Sequence, residues 1–163
     1  MRTVQTPVYK FEELSDDAKQ KAIEHLYDIN VAFDWWDSTY DDAKQIGCEI
    51  HEFDTGRSNS INLKCLDAHE TARLIVENHG ETCDTRKLAD EYLKDFDALA
   101  RDEDGEVLNG DALYDLDKEF ERARGEEYLS MLRQEYEYQT SEEAILETIE
   151  ANEYEFLEDG KIF

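Results

Sequence analysis

CEIHEFDTGRSNSINLKCL, residues 48–66, is the stretch on which the fold class turns. CEIHEF (48–53) and INLKCL (61–66) read as two strands of a hairpin, joined by the polar loop DTGRSNS. Ile61, Leu63 and Cys65 alternate on one face. The flanks on either side have helical spacing instead. Upstream, FDWWDSTYDDAKQIG places Phe33, Trp36, Tyr40 and Ala43 within about 80° of one another at 100° per residue. Asp34, Asp37 and Asp41 gather opposite, Trp35 lies at the border of the apolar face with Ile46, and Gly47 is placed to end the helix. Downstream, Asp67 and Glu70 form a capping-box pattern for DAHETARLIVENH, which Gly80 closes.

Further out, TVQTPVYKF (3–11) alternates as a strand, with Pro7 confining it to an edge or a bulge. Ser15 starts a helix striped by Ala18, Ala22, Ile23 and Leu26. Leu88, Tyr92, Phe96 and Leu99 stripe another over about 84–100. RDEDGEVLNGD (101–111), with two glycines and a dense charge run, reads as a loop and a possible subdivision of an otherwise single domain spanning 1–163. Beyond it, the stripe Leu113, Leu116, Phe120 and Ala123 is rotated by more than about 100° from Leu129, Leu132 and Tyr136. Gly125 at the phase change predicts a break or two packing partners. Thr140 with Glu143 predicts a cap for a helix over Ala144, Ile145 and Ile149, and YEFLEDGKIF a strand with an Asp159-Gly160 turn. The expectation is α+β: a small antiparallel sheet of three to five strands packed with five or six helices.

An apolar fraction of 40% with 18 aromatics among 163 residues supports a core and argues against a disordered acidic tail. No run of 18 apolar residues offers a membrane span. MRTVQTPVYKF lacks an apolar signal core, so a cytoplasmic protein with its three cysteines reduced is expected. The dominant feature is charge: 43 acids against 17 bases, net −26. A compact chain of this length is a ball roughly 40 Å across, and 40 Å of duplex DNA carries roughly 24 phosphate charges. Ordinary solubility needs a net charge of only about 2 to 8. The excess points to high salt or to a basic partner, and it argues against direct nucleic-acid binding. It is concentrated in three blocks: 34–54 (net −6), 95–121 (net −9) and 135–163 (net −9).

Motifs for chemistry are sparse. Cys65, His69, His79 and Cys83 have metal-like spacing, but the first pair straddles a strand end and the second straddles Gly80. A strand cysteine and a helix-end histidine account for them without a metal. Asp102, Asp104 and Gly105 are spaced like part of a calcium loop, but Ala100 stands at the first ligand position. A solvated acidic turn is the plainer reading, so no cofactor is expected. No G-x-S-x-G, P-loop or G-x-G-x-x-G is present, and carboxylate pairs are too abundant to signal a glycosidase. The protein is not expected to be an enzyme.

YKFEELSDDAKQKAIEHLYDIN followed by DWWDSTYDDAKQIGCEIHEFD resembles a family of small acidic proteins encoded by bacteriophages and prophages, some loosely labelled antitoxin. IVENHGETCDT and TSEEAILETIEANEYEFLEDGKIF carry the resemblance over most of the chain. The hairpin departs from the family pattern, with FDTGRSNSINLKC in place of a serine- and glycine-rich aromatic segment. The resemblance implies a phage setting and supplies no catalytic residues.

Charge and setting together lead us to expect an inhibitor of the anti-CRISPR or anti-restriction type. It would occupy the basic groove of a host defence complex as a DNA or RNA mimic. The expected contacts are Asp34, Asp37, Asp41 and Asp42 in one block and Asp102, Glu103, Asp104 and Glu106 in another, with Trp35 as an apolar anchor. An antitoxin for a basic toxin is the alternative, and an acidic housekeeping protein or an enzyme of unknown reaction the third. In the first two readings the partner is a basic protein surface, neither nucleic acid nor membrane. The oligomeric state stays open.

Overall fold

Two α-helices, one hairpin and four more α-helices follow one another in the computed structural model, which describes every residue except Met1 and Val4. The helices are α1 (Asp16–His25), α2 (Asp37–Gln45), α3 (Ala68–Asn78), α4 (Asp84–Ala98), α5 (Gly110–Gln139) and α6 (Glu142–Ala151). The strands β1 (Cys48–Asp54) and β2 (Ser60–Cys65) pair antiparallel, Cys48 opposite Cys65 and Asp54 opposite Ser60. The class is α+β. The chain divides into two compact units, Met1–Trp35 with Gln134–Phe163 and Trp36–Arg133. The loop 101–111 lies inside the second.

In the first unit, Ser15 caps α1 by accepting from the Ala18 amide, and Ala18, Ala22 and Leu26 form its buried stripe. Ile145 and Ile149 of α6 and Phe156 complete that core, with Tyr9, Phe11, Ile23 and Tyr154 at its margin. The α6 cap is Ser141 rather than Thr140, whose hydroxyl donates instead to the Tyr136 carbonyl at 2.9 Å. The strands expected at the two ends are here reduced to single bridges, Tyr9 with Phe156 and Phe156 with Ile162. This corrects the sheet from three to five strands to two among the described residues. Pro7 lacks an amide donor, and the terminal turn doubles back within a few residues, so neither segment extends a ladder. Val4, inside the expected first strand, lies outside the described residues. Gly160 has φ +86°, and a Cβ there would collide with the Ala18 carbonyl, so this turn sits against α1 only as glycine.

The second unit is built on the hairpin. Ala43 of α2, Ile46 at its C-cap, Ile50 of β1, Ala72 and Ile75 of α3, Ala89 and Tyr92 of α4, and Phe120 and Tyr128 of α5 form one cluster. Asp67 caps α3 by accepting from the Glu70 amide at 3.0 Å, as the capping pattern predicts. Gly47 ends α2 with φ +72°, where a Cβ would collide with Leu66. α2 begins at Asp37, so Phe33 to Trp36 precede the helix and Phe33, expected in its apolar stripe, is 80% exposed.

Two further expectations are corrected. α5 runs unbroken through Gly125 for 30 residues. Its buried row Phe120, Arg124, Tyr128 and Leu132 advances in steps of four, each about 40° beyond a full turn. Three steps account for the phase change that resembled a break. The cysteines are not all free thiols: Cys48 and Cys65, facing each other across the ladder, form a disulfide, and Cys83 is free and exposed.

Candidate functional site

The loop between α4 and α5 is shaped by its own backbone and by two side chains. Arg101 and Val107 pair across it as an antiparallel bridge. Asp102 Oδ1 accepts from the amides of Asp104 (3.0 Å) and Glu106 (2.9 Å), while the Gly105 amide donates to the Asp102 carbonyl at 3.1 Å. Arg101 donates to the carbonyls of Gly105 and Phe96, and its guanidinium lies 4.7 Å from the centre of the Phe96 ring. The one base in this turn is therefore spent on backbone and ring. Asp102, Glu103, Asp104 and Glu106 are all exposed, and none is in an ion pair among the described residues. Asp102 has one oxygen engaged in holding the turn, which leaves Glu103, Asp104 and Glu106 as its outward charges. Leu108, just beyond, is 65% exposed.

The other expected stretch is divided. Asp34 and Trp35 belong to the first unit, where Trp35 is half-buried and packs on Tyr136 with ring centres 5.5 Å apart. Trp36 belongs to the second and packs edge-on against Phe53 at 5.8 Å. Asp37 and Asp41 are exposed on α2, and Asp41 is paired with Lys44 at 3.0 Å. Asp42 turns inward. Its Oδ2 accepts from the Tyr128 hydroxyl at 2.7 Å, and its Oδ1 lies 3.5 Å from His79 Nε2. The ring's Nδ1 is 2.7 Å from Thr85 Oγ1.

A second tyrosine repeats the theme: Tyr92 donates to Asp117 at 2.7 Å. Burial, reinforced by the facing aspartates, pushes both phenols well above the ordinary tyrosine range, while Arg124 opposes the shift at each. Arg124 is itself 3% exposed, with its guanidinium 5.0 Å from the Phe120 ring centre. Its Nε and Nη1 have no hydrogen-bond partner among the described residues, and burial pulls its pKa down. These residues are far apart in sequence, so no local pattern announces them. Among the described residues Phe33 is the most exposed of the large apolar side chains, although helical periodicity assigns it to the core.

The four residues with metal-like spacing do not assemble. Cys65 is in the disulfide and His69 stacks on Phe96 at 4.3 Å. Among the described residues, no group of three or more His, Cys, Asp or Glu is arranged to hold a metal ion. No helix among them is long and apolar enough to cross a membrane. Compared with protein-family models, with curated proteins and with solved structures, the chain matches none.

Proposed function

We propose that this chain is a binding protein of the phage type, acting in the bacterial host cytoplasm. It would inhibit a nucleic-acid-binding defence complex by occupying a basic groove. The observation that carries this reading is the 101–107 turn, where four exposed carboxylates stand on a backbone fixed by its own hydrogen bonds and, among the described residues, without ion pairs. Fixed charge loses little conformational entropy on meeting arginines and lysines that normally hold phosphates. The net charge of −26 adds long-range steering, which makes association fast and strongly dependent on ionic strength. Asp34, Asp37 and Asp41 add exposed charge, and Phe33 takes over from Trp35 as the more accessible apolar anchor. Asp42 serves mainly within the second unit.

Capture from bacterial lysate on the immobilised full chain at low salt tests the proposal. Retention of a nucleic-acid-binding protein that is released by added duplex or by raised salt supports it. Replacing Glu103, Asp104 and Glu106 together by Gln and Asn should weaken that capture about tenfold or more, since each removes a charge-assisted contact. Capture that ignores both salt and nucleic acid would sink the mimicry reading.

A further inference from the structure

Two segments of the first unit, 22–35 and 134–160, contain no lysine or arginine, while three acids stand in the first and ten in the second. The fold joins them. Asn30 donates through Nδ2 to the Gln139 carbonyl at 3.1 Å and accepts through Oδ1 from the Thr148 hydroxyl at 2.6 Å. Tyr136, in the last turns of α5, is the centre of the junction. Trp35 packs on its ring, and its hydroxyl is hydrogen-bonded to Tyr27, which follows α1. Trp35 and Tyr136 are half-buried, whereas Tyr27 is 47% exposed.

The charges around this aromatic surface have one sign. Asp28 faces Tyr136, while Glu147, Glu143 and Glu135 face the neighbouring Tyr138. None of these four acids is in an ion pair among the described residues, and Lys10 and Lys161 of the same unit are engaged with Glu155 and Asp159. No cation lies over Tyr27 or Tyr136 among the described residues. The second unit does use that contact internally, with the Arg101 guanidinium 4.7 Å from the centre of the Phe96 ring. An apolar side chain laid on Tyr27 would strip water from Asp28 and give nothing back. A cation would be met by both the negative face of the ring and the carboxylate.

We propose that the exposed face of Tyr27, backed by Tyr136 and Trp35, receives an arginine side chain of the basic partner, its guanidinium stacked on the ring and paired with Asp28. A planar guanidinium lies flat on a ring while its N–H groups point sideways to a carboxylate, which the compact ammonium of lysine does not do. The inference rests on the reading of the chain as a ligand for a basic surface for the source of the arginine. It adds a contact on the first unit to the 101–107 turn of the second.

The test titrates the full chain, isotopically labelled, with N-acetyl tetra-arginine amide and, separately, with its tetralysine and tetracitrulline counterparts. Saturable shifts of the Tyr27 and Trp35 ring protons are expected with the arginine peptide, together with upfield shifts of its δ-methylene protons. Tyr27→Leu should weaken its binding about threefold, as for an exposed cation–π contact, and Tyr27→Phe should leave it unchanged because the ring remains. Asp28→Asn should weaken it about twofold. Equal affinity for tetralysine or tetracitrulline would overturn the proposal, and so would unchanged binding in Tyr27→Leu. Shifts that rise without saturating and match those at Glu103 and Asp104 would also overturn it, because they report a diffuse ion atmosphere. No partner is present in this titration. Failed capture from lysate with a positive titration therefore removes the groove reading and keeps the arginine surface, and the converse keeps capture and removes this contact.

Discussion

The two units bury different chemistry. Among the described residues, the first closes its core with Leu14, Ala18, Ala22, Leu26, Ile145, Ile149 and Phe156, all apolar. The buried polar or charged residues Thr39, Thr71, Thr85 and Arg124 all fall in Trp36–Arg133. That second unit also buries two tyrosines tied to aspartates and carries the disulfide. One unit is held by packing. The other has a polar interior wired to its acidic exterior, because Asp42 and Asp117 are at once hydrogen-bond acceptors for buried phenols and partly exposed charges. A protein that must present carboxylates in fixed positions has a physical reason for the second arrangement, since a hydrogen bond from the core fixes a side chain that solvent alone would leave mobile.

Removing packing should therefore be the most damaging change in the first unit. Phe156 is fully buried and sits at the junction of both terminal bridges. Phe156→Ala is expected to cost about 3–5 kcal/mol, read as lost hydrogen-exchange protection over 14–26 and 145–156. If amides of α3 lost protection equally, the division into two differently built units would be energetically meaningless. In the second unit one contribution is covalent. The Cys48–Cys65 bridge spans 17 residues, for which the chain-entropy model gives roughly 3 kcal/mol. Denaturant melts with and without reductant should differ by about that amount while the hairpin stays folded, since Ile50, Phe53, Ile61 and Leu63 remain packed on the core. A hairpin that unfolds on reduction would be incompatible with action in a reducing cytoplasm.

How much of this was legible in the sequence follows from the range of each signal. Strand alternation in 48–66, the Asp67 and Ser15 caps and the Gly47 stop are local, and each is where periodicity and side-chain chemistry put it. The terminal strands were overread because alternation says nothing about whether a partner is long enough to form a ladder. Phe33 was misplaced because helical phase was extended upstream of the real start at Asp37. On α5 the polar Arg124 and the Gly125 hid a continuous row from an apolar count. Of the expected site, the 101–106 acids share one turn as their clustering implied, yet Asp42 faces inward. Only the contact with Tyr128, 86 positions away, decides that. Carboxylates look alike in sequence, and long-range partners assign their roles.

The smallest effect discriminates most sharply between the units. Tyr128→Phe keeps the ring and removes the hydroxyl that donates to Asp42, an expected loss of about 1–3 kcal/mol for a buried bond to a charged acceptor. The same bond has a pH signature. Burial and Asp42 raise the Tyr128 phenol in the folded state above its unfolded value near 10, so the folded chain retains a proton that the unfolded chain gives up. Its contribution is fully present below about pH 10 and is lost as the solution becomes more alkaline. Tyr92, raised for the same reasons, adds to the trend. Stability measured at successive pH values should thus fall above about pH 10, and more shallowly in Tyr128→Phe, because one of the linked protons is gone. Phe156→Ala should lower the whole curve and leave its alkaline slope unchanged. If Tyr128→Phe kept the wild-type slope, the phenol–carboxylate pair would not be coupled to folding, and the fixing of Asp42 from the core would have no energetic basis.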